Sequence, residues 1–432
     1  MPRETVITGL GAVTGLGVGA GALWDGLCAG ASAIGPIRAF DAGGFESRLG
    51  AEVRDFKARD YVPKSYRKAV KVMARDIELA VGAALCAVQD AGVVTKGVAD
   101  DGDALTFADD RIGCQIGAGF IACEAEELAM AQSSAATPDG ELDLAVWGES
   151  GMGNLSPLWL LKYLPNMLAC HVTIIHGAKG PSNTITCCEA SGLLSIGESR
   201  RVIERGDADL CFSGGAESKI NPMGLLRMHC FDRLAPTGDA SEGSAVSRPF
   251  DETSGGSILG EGAGIVLVES AETASARGAR VHARVAGFGA AQSIDDDASG
   301  TGMAMAIEAA LADAGMDASE IDLIVPHASG APACDAEESA GLAKAFGGRV
   351  AEIETITLTP HIGDVLAGAG GVAVCAAATA LREQALPSRL AGGAMNGVRA
   401  GARDSGKTAL RAALVCTNAL GGQNAALVLR AP

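Results

Sequence analysis

The chain has 432 residues, of which 48% are hydrophobic and 20% charged, and it carries a formal net charge of −18. A chain of this length can bury a large core as one big domain or two intermediate ones. The negative charge argues against nucleic acid or an anionic membrane as the main partner. We find no run of about 18 apolar residues and no signal-peptide pattern, so we expect no membrane span and a cytoplasmic location.

The first predicted elements alternate between strand and helix. Residues 3–15 predict a strand followed by a glycine turn, and residues 22–30 predict an amphipathic helix. Residues 66–93 predict a long helix, because their apolar residues recur on one helical face. Residues 111–120 then predict a buried strand, and residues 156–178 a further helix.

Residues 179–217 carry the most informative pattern in the chain. A short β-branched strand over residues 183–187 is followed by a tight turn at residues 188–190 and then by a helix. A second strand over residues 208–213 ends on the glycine pair that follows it. A sharp strand-to-helix turn holds its apex side chain at the positive end of a helix, which is a place suited to chemistry. The apex residue here is Glu189.

The second part of the chain repeats the first. Residues 281–291 are similar to the opening strand, residues 306–330 to the long helix and the strand after it, and residues 356–384 to the turn strand and its buried helix. An internal duplication of this size predicts a layered α/β architecture. We divide the chain into two halves, residues 1–270 and residues 271–432.

The remaining polar patterns favour structural interpretations. The twelve cysteines form no CxxC pair and show no metal-ligand spacing, which favours buried thiols over disulfides or zinc. His171 and His176 have no metal partner at a suitable spacing, so we interpret both as structural. The acidic run at residues 295–297 is typical of a solvated loop rather than of a cation site. We therefore predict no metal site.

Several motifs of the chain occur together in one known family. They are a V-I-T-G strand with Gly30-Ala31-Ser32-Ala33-Ile34, the segment Gly180-Pro181-Ser182 with Ser191-Gly192, Arg248-Pro249-Phe250-Asp251, and Gly260-Glu261-Gly262-Ala263-Gly264. In this order they resemble the β-ketoacyl-acyl-carrier-protein synthases of the thiolase superfamily over essentially the whole chain. The resemblance implies the five-layered αβαβα thiolase fold, a dimer, an acyl-carrier protein as partner and no cofactor.

The family uses a cysteine, which accepts the acyl chain as a thioester, and two histidines that stabilise the enolate formed by decarboxylation. An alignment without gaps places Glu189 at the position of the cysteine and His327 at that of the first histidine. The second histidine becomes Asp364, although a shift of three residues would place His361 there instead. The altered positions therefore fall on the catalytic residues, whereas the architectural motifs match.

The resemblance also implies positions that contact substrate and partner. The substrate-binding positions are Ser329, Thr359, Asn418, Gly421 and Gly422, of which Thr359 replaces a lysine and Asn418 a gatekeeper phenylalanine. Lys68 and Lys71 fall where the family carries basic residues that dock the acidic carrier protein. By pattern alone, such lysines are more typical of a solvated helix face.

In lacking the nucleophile, the chain resembles the chain-length factors, which are ketosynthase-like partners of an active ketosynthase. We therefore predict a noncatalytic partner subunit, in a heterodimer or a homodimer. A malonyl-carrier-protein decarboxylase, or a residual ketosynthase-type activity, is the second interpretation. The third gives Glu189 and His327 a general acid–base role on an acyl thioester, and includes Cys188 as a displaced nucleophile.

Overall fold

Strands and helices alternate through most of the computed structural model, which describes residues 3–294 and 299–432. The strands are β1 (Thr5–Thr14), β2 (Gly17–Val18), β3 (Ile34–Pro36), β4 (Leu49–Ala51), β5 (Ile112–Ala118), β6 (Ser182–Ile185), β7 (Leu210–Glu217), β8 (Gly262–Ser270), β9 (Ala283–Gln292), β10 (Leu323–Val325), β11 (Glu354–Thr355), β12 (Ala385–Leu386), β13 (Gly406–Lys407), β14 (Ala412–Asn418) and β15 (Gln423–Arg430). The helices are α1 (Ala20–Cys28), α2 (Arg75–Ala91), α3 (Ala125–Ser134), α4 (Leu144–Glu149), α5 (Trp159–Tyr163), α6 (Met167–His176), α7 (Ser191–Glu204), α8 (Pro222–Cys230), α9 (Ala271–Ala276), α10 (Thr301–Ala314), α11 (Pro332–Phe346), α12 (Thr359–Ile362) and α13 (Ala369–Glu383).

Two of the sequence predictions concern an acidic loop and membrane-spanning segments. The acidic run at residues 295–297 lies outside the described residues. Within them, no helix combines the length and the apolar character that a membrane span requires.

The main sheet has the same arrangement on both sides of its centre. Its order is β11-β10-β14-β15-β9-β1-β8-β7-β5-β6, with β2 added to β1. The central pair is β1 and β9. One arm of the sheet continues from β1 through β8, β7, β5 and β6, and the other continues from β9 through β15, β14, β10 and β11. Outward from the central pair, each arm has two antiparallel pairings followed by two parallel ones. The predicted duplication is thus visible in the strand order, since β1, β8, β7, β5 and β6 correspond to β9, β15, β14, β10 and β11. The division at residue 270 stays a prediction.

Glycines fix how the outer helices pack on this sheet. A Cβ atom at Gly9 of β1 would lie 2.3 Å from the carbonyl oxygen of Ala87 in α2, and one at Gly287 of β9 would lie 2.2 Å from that of Ala310 in α10. Only glycine permits such a close approach of two backbones. The same packing therefore recurs in the two halves.

Three apolar cores separate the layers. The central core contains side chains of α7 and α13, packed between the two arms of the sheet. A second core joins α2 to one arm, and a third joins α10 to the other. The sequence of layers is helix, sheet, helices, sheet and helix, which is the five-layered thiolase-like fold expected from the motifs.

The long helix predicted over residues 66–93 is shorter than expected. Residues 64–72 form short 3-10 turns, and α2 begins only at Arg75. Asp76 and Glu78 suit the positive amino end of α2, and Lys68 and Lys71 lie in the turns before it. The two lysines therefore precede the helix and do not lie on it.

Two other predicted boundaries were also wrong. The helix expected over residues 156–178 is broken into α5 and α6 at Pro165, because proline forces Leu164 into an extended conformation. The strand expected to end at Gly214-Gly215 instead continues to Glu217. A Cβ atom at Gly215 would lie 2.2 Å from the carbonyl oxygen of Ala367, so glycine here serves close packing and not a turn.

Candidate functional site

The predicted strand-to-helix turn delivers Glu189 into the protein interior. β6 ends at Ile185, residues 188–190 form a 3-10 turn and α7 begins at Ser191. The Ser191 hydroxyl donates to the carbonyl oxygen of Cys188 over 2.6 Å and accepts from the amide of Cys187 over 2.8 Å, which fixes the turn. Glu189 is 2% exposed, whereas Cys188 is exposed and has φ of +48°. The two neighbouring side chains are thus in different environments.

Both carboxylate oxygens of Glu189 have a partner. Oε1 lies 3.0 Å from Nη2 of Arg233, and Oε2 accepts a hydrogen bond from the amide of Leu420 over 3.1 Å. Arg233 follows α8 and is 3% exposed. The sequence analysis missed Arg233, since a single arginine between a helix and a proline turn forms no recognisable pattern.

Arg233 also connects Glu189 to the other predicted catalytic positions. Its Nη2 lies 3.8 Å from Oδ2 of Asp364, and Oδ1 of Asp364 lies 3.3 Å from Nε2 of His327. These four buried side chains, Glu189, Arg233, Asp364 and His327, are called the charge cluster below. It balances two cations with two carboxylates in a site where solvent does not screen them.

The cluster changes how its members titrate. Burial lowers the pKa of His327, but the charges of Asp364 and Glu189 outweigh it and raise that pKa to about 9. Burial raises the pKa of Asp364, yet His327 and Arg233 bring it below its ordinary value. Burial lowers the pKa of Arg233, but nearby acids, Glu189 first among them, raise that pKa above its ordinary value. His327 is therefore an imidazolium at neutral pH.

Two further acids hold the segment around His327. Glu338 accepts the backbone amides of His327 and Ala328 over 2.7 and 2.8 Å, and burial raises its pKa to about 7. Asp335 accepts the amide of Gly330 and the hydroxyl of Ser329, each over 3.1 Å. Ser329 is therefore engaged with Asp335 inside the protein.

His361 lies elsewhere. It is fully buried, with Nδ1 2.7 Å from the carbonyl oxygen of Ala31 and Nε2 3.1 Å from that of Ser388. Burial lowers its pKa. The side chain that faces His327 is that of Asp364, the position given by the alignment without gaps. Thr359 donates its hydroxyl to the carbonyl oxygen of Ala328, beside the histidine.

The space next to the charge cluster is very small. The cavity lined by His327, Thr359 and Asp364 has a volume of about 10 Å³, which is roughly the room of a single water. An open cleft of about 350 Å³ lies beyond the Leu420 backbone and is lined by Asn418, Gly421 and Gly422. Of the five predicted substrate-binding residues, these three share the cleft and the other two do not line it.

Cys188 is poorly suited to act as a displaced nucleophile. Partial desolvation, with the charges of Glu189 and Glu217, raises the pKa of its thiol to about 11. A thiolate, which is the nucleophilic form, is then scarce at neutral pH. No group of His, Cys, Asp or Glu within the described residues is arranged to hold a metal ion.

The predicted docking lysines lie in a basic surface segment. Lys68 and Lys71 are both exposed. Residues 57–71 contain six basic side chains and one acidic side chain, namely Lys57, Arg59, Lys64, Arg67, Lys68 and Lys71 against Asp60. Such an excess is unusual in a chain with a net charge of −18.

Comparison with known proteins identifies the family. The family model described as "Beta-ketoacyl synthase, N-terminal domain" matches residues 3–274, and "Beta-ketoacyl synthase, C-terminal domain" matches residues 279–392. The chain is 32% identical over 395 residues to 3-oxoacyl-[acyl-carrier-protein] synthase 2 of Vibrio cholerae, covering 89% of this chain and 87% of the relative. It is 31% identical over 386 residues to the protein of the same name from Staphylococcus aureus strain COL, covering 88% and 86%.

Solved structures agree with this assignment. The ishigamide ketosynthase/chain length factor superimposes with a TM-score of 0.82 at 27% identity, and a beta-ketoacyl synthase from Burkholderia phymatum with 0.84 at 25%. Both alignments cover 100% of each chain. Since the family models together span most of the sequence, the chain belongs to the beta-ketoacyl synthase family.

Proposed function

We propose that this chain is a noncatalytic, chain-length-factor-type partner subunit that acts with an acyl-carrier protein. Its family places it in fatty-acid or polyketide synthesis. The observation that supports the noncatalytic role is the charge cluster, in which Glu189 is buried and bonded through both carboxylate oxygens. The cytoplasmic location and the choice between a heterodimer and a homodimer stay predictions.

Chemistry supports the absence of condensing activity. A carboxylate that attacks a thioester would form an anhydride, which is more activated than the starting thioester. Attack would also require Glu189 to leave Arg233, and truncating one partner of a buried ion pair typically costs about 3–5 kcal/mol. The cavity lined by His327, Thr359 and Asp364, of about 10 Å³, is too small to hold an acyl chain.

The decarboxylase alternative is opposed by charge. A malonyl carboxylate at about 4 Å from Glu189 or Asp364 would be repelled by roughly 4 kcal/mol at an effective dielectric near 20. Arg233 and the His327 imidazolium could offset part of this repulsion, but both are already paired with those two acids. The acid–base alternative meets the same lack of space for a substrate at His327.

Two surfaces support a protein partner. Exposed apolar side chains concentrate in one part of the chain, namely Phe120, Met130, Leu142, Leu144, Met152, Leu158, Leu160 and Ile174. Where such side chains form one contiguous patch, that patch marks an interaction surface more often than a free one. β6 is the last strand of its arm, so among the described residues it has one unpaired edge.

Two observations support an acyl-carrier protein as a partner, namely the names of the relatives and the charge of one surface segment. The two curated relatives are named 3-oxoacyl-[acyl-carrier-protein] synthase 2, a name that includes the carrier protein. The basic segment at residues 57–71 offers an acidic partner a complementary surface on an otherwise negative protein, and such complementarity speeds association.

Co-expression with a cysteine-containing ketosynthase tests the proposal. We expect a mixed dimer on size-exclusion chromatography coupled to light scattering, and condensing activity that needs the ketosynthase cysteine but tolerates Glu189→Gln. Incubation with a labelled acyl thioester should leave this chain unacylated. Labelling of any residue at positions 187–189 would contradict the noncatalytic assignment, and a failure to form mixed dimers would contradict the partner role.

A further inference from the structure

The small cavity beside the charge cluster has a polar part. Its volume is about 10 Å³, and its wall combines apolar residues with four polar ones, His327, Thr359, Asp364 and Thr417. Each of these four residues is at most 5% exposed. The hydroxyl of Thr359 is already bonded to the carbonyl oxygen of Ala328. The other three polar residues therefore decide what the cavity can hold.

Each of these three residues has a buried polar atom that no described residue bonds. The atoms are Nδ1 of His327, Oδ2 of Asp364 and Oγ1 of Thr417. Nη2 of Arg233 lies 3.8 Å from Oδ2 of Asp364, which is too far for a hydrogen bond. Buried polar atoms without a partner are costly, and in native structures nearly all of them bond to protein or to ordered water. Three such atoms around one cavity point to a ligand inside it.

The chemistry of the three atoms defines that ligand. The imidazolium of His327 can only donate a hydrogen bond, the carboxylate of Asp364 can only accept one, and the hydroxyl of Thr417 can do either. An anion in the cavity would be repelled by Asp364 and a cation by His327. An apolar ligand would bond to none of the three groups. A small neutral molecule that both donates and accepts matches all of them.

We propose that this cavity binds one structural water molecule, held by hydrogen bonds to His327, Asp364 and Thr417. A cavity of about 10–15 Å³ is the smallest that holds a water, and internal waters typically make about three hydrogen bonds. The cavity meets both conditions. The water would be held whether or not the chain acts as a partner subunit.

The bound water extends the charge cluster to the sheet. Thr417 belongs to β14, whereas His327 follows β10 and Asp364 follows α12. The water thus joins side chains from three segments of the second half of the chain. At neutral pH the imidazolium of His327 orients this water but cannot accept a proton from it, so His327 does not act as its general base.

A high-resolution crystal structure of the full chain tests the proposal directly. We expect one peak of electron density in the cavity, at hydrogen-bond distances of about 2.7–3.2 Å from Oδ2 of Asp364 and Oγ1 of Thr417. A cavity without density, or density with the anomalous signal of an ion, would overturn the proposal. A collapsed cavity in which the two side chains bond each other would also overturn it.

Thr417→Val and Thr357→Val provide a matched pair of variants. Thr357 is as buried as Thr417, and its Oγ1 also has no partner among the described residues, but Thr357 does not line the cavity. We expect Thr417→Val to lower the unfolding temperature, because the water loses one of its bonds, whereas Thr357→Val should not lower it. Equal changes in the two variants would count against the water. If a variant does not fold, the wild-type crystal structure still decides.

Discussion

Arg233 is the residue on which the charge cluster depends. It is the shared counter-ion of Glu189 and Asp364, and all three residues are at most 3% exposed. Charges are expensive to bury and persist only when they are paired. An acid at the apex of the turn is therefore tolerated because an arginine from a distant loop meets it.

Replacement of Arg233 by Met should destabilise the fold strongly. The substitution leaves Glu189 and Asp364 buried with one cation, His327, between them, so we expect a loss of about 3–5 kcal/mol in the free energy of unfolding. Urea denaturation measures this loss of stability. The double variant Glu189→Gln/Arg233→Met should recover much of the loss, and equal losses in the single and double variants would show that the pair is not coupled.

His327 should make stability depend on alkaline pH. Its folded-state pKa of about 9 lies above the ordinary value of 6.5, so its stabilisation is complete below about pH 6.5 and is lost as the pH rises through 9. We expect the free energy of unfolding to fall by roughly 3 kcal/mol across that window.

Urea denaturation of the wild type and of His327→Gln at a series of pH values isolates this contribution. The raised pKa of Glu338 acts in a lower window, from its ordinary 4.5 to about 7. Because the charge of His327 lowers that pKa, it should rise further in the variant. A variant whose stability declines between pH 6.5 and 9 as steeply as the wild type would contradict the assignment to His327.

At the scale of elements, glycines set the distance between helix and sheet. The α13 backbone packs against β8 at Gly371 and Gly264, where a Cβ atom on Gly371 would lie 1.9 Å from the carbonyl oxygen of Gly264. The contact is between two backbones, and no side chain can rotate away to relieve it. A side chain at position 371 would therefore force α13 away from the sheet.

Gly371→Ala should therefore destabilise the protein by about 1–3 kcal/mol, the usual cost of overpacking. Gly21→Ala is the matched control, because Gly21 also lies in the first turn of a helix and a Cβ atom added there would have no neighbour within 4 Å. At Gly21 we expect no loss, or a gain of up to about 1 kcal/mol from helix propensity. Thermal unfolding measures the change in stability of both variants. Equal changes would show that helix propensity alone determines the effect of each substitution.

At the scale of the whole molecule, charge is unevenly distributed. The chain is strongly acidic, yet residues 57–71 form a basic surface segment before α2. An acidic carrier protein would be repelled by most of the surface and attracted to this segment. The attraction should weaken with salt, because exposed charges are screened.

The double variant Lys68→Glu/Lys71→Glu should bind acyl-carrier protein at least about tenfold more weakly at low salt. Surface plasmon resonance at two salt concentrations measures the loss and its decrease with salt. Lys407→Glu, at an exposed lysine outside the segment, is the control for net charge. Equal weakening by Lys407→Glu would show that the effect is not specific to the segment.

The layered architecture and its duplication could be predicted from sequence, because glycine spacing and apolar periodicity are local and recur in both halves. The motifs also singled out Glu189, His327 and Asp364, which the structure brings together. The break at Leu164 could have been predicted as well, because the residue before a proline disfavours the helical conformation. Local patterns could not carry the second strand of the turn through Gly214-Gly215, because that outcome depends on the Ala367 backbone packed against it.

The groups that meet Glu189 were decided by the fold. Arg233 lies far from it in sequence and in no motif, and ion pairs of this kind form by proximity in space alone. Which of Asp364 and His361 meets His327 has the same origin, since the fold turns Asp364 toward His327 and places His361 between two backbone carbonyls. Local patterns reflect neighbours along the chain, whereas buried charges find their partners across it.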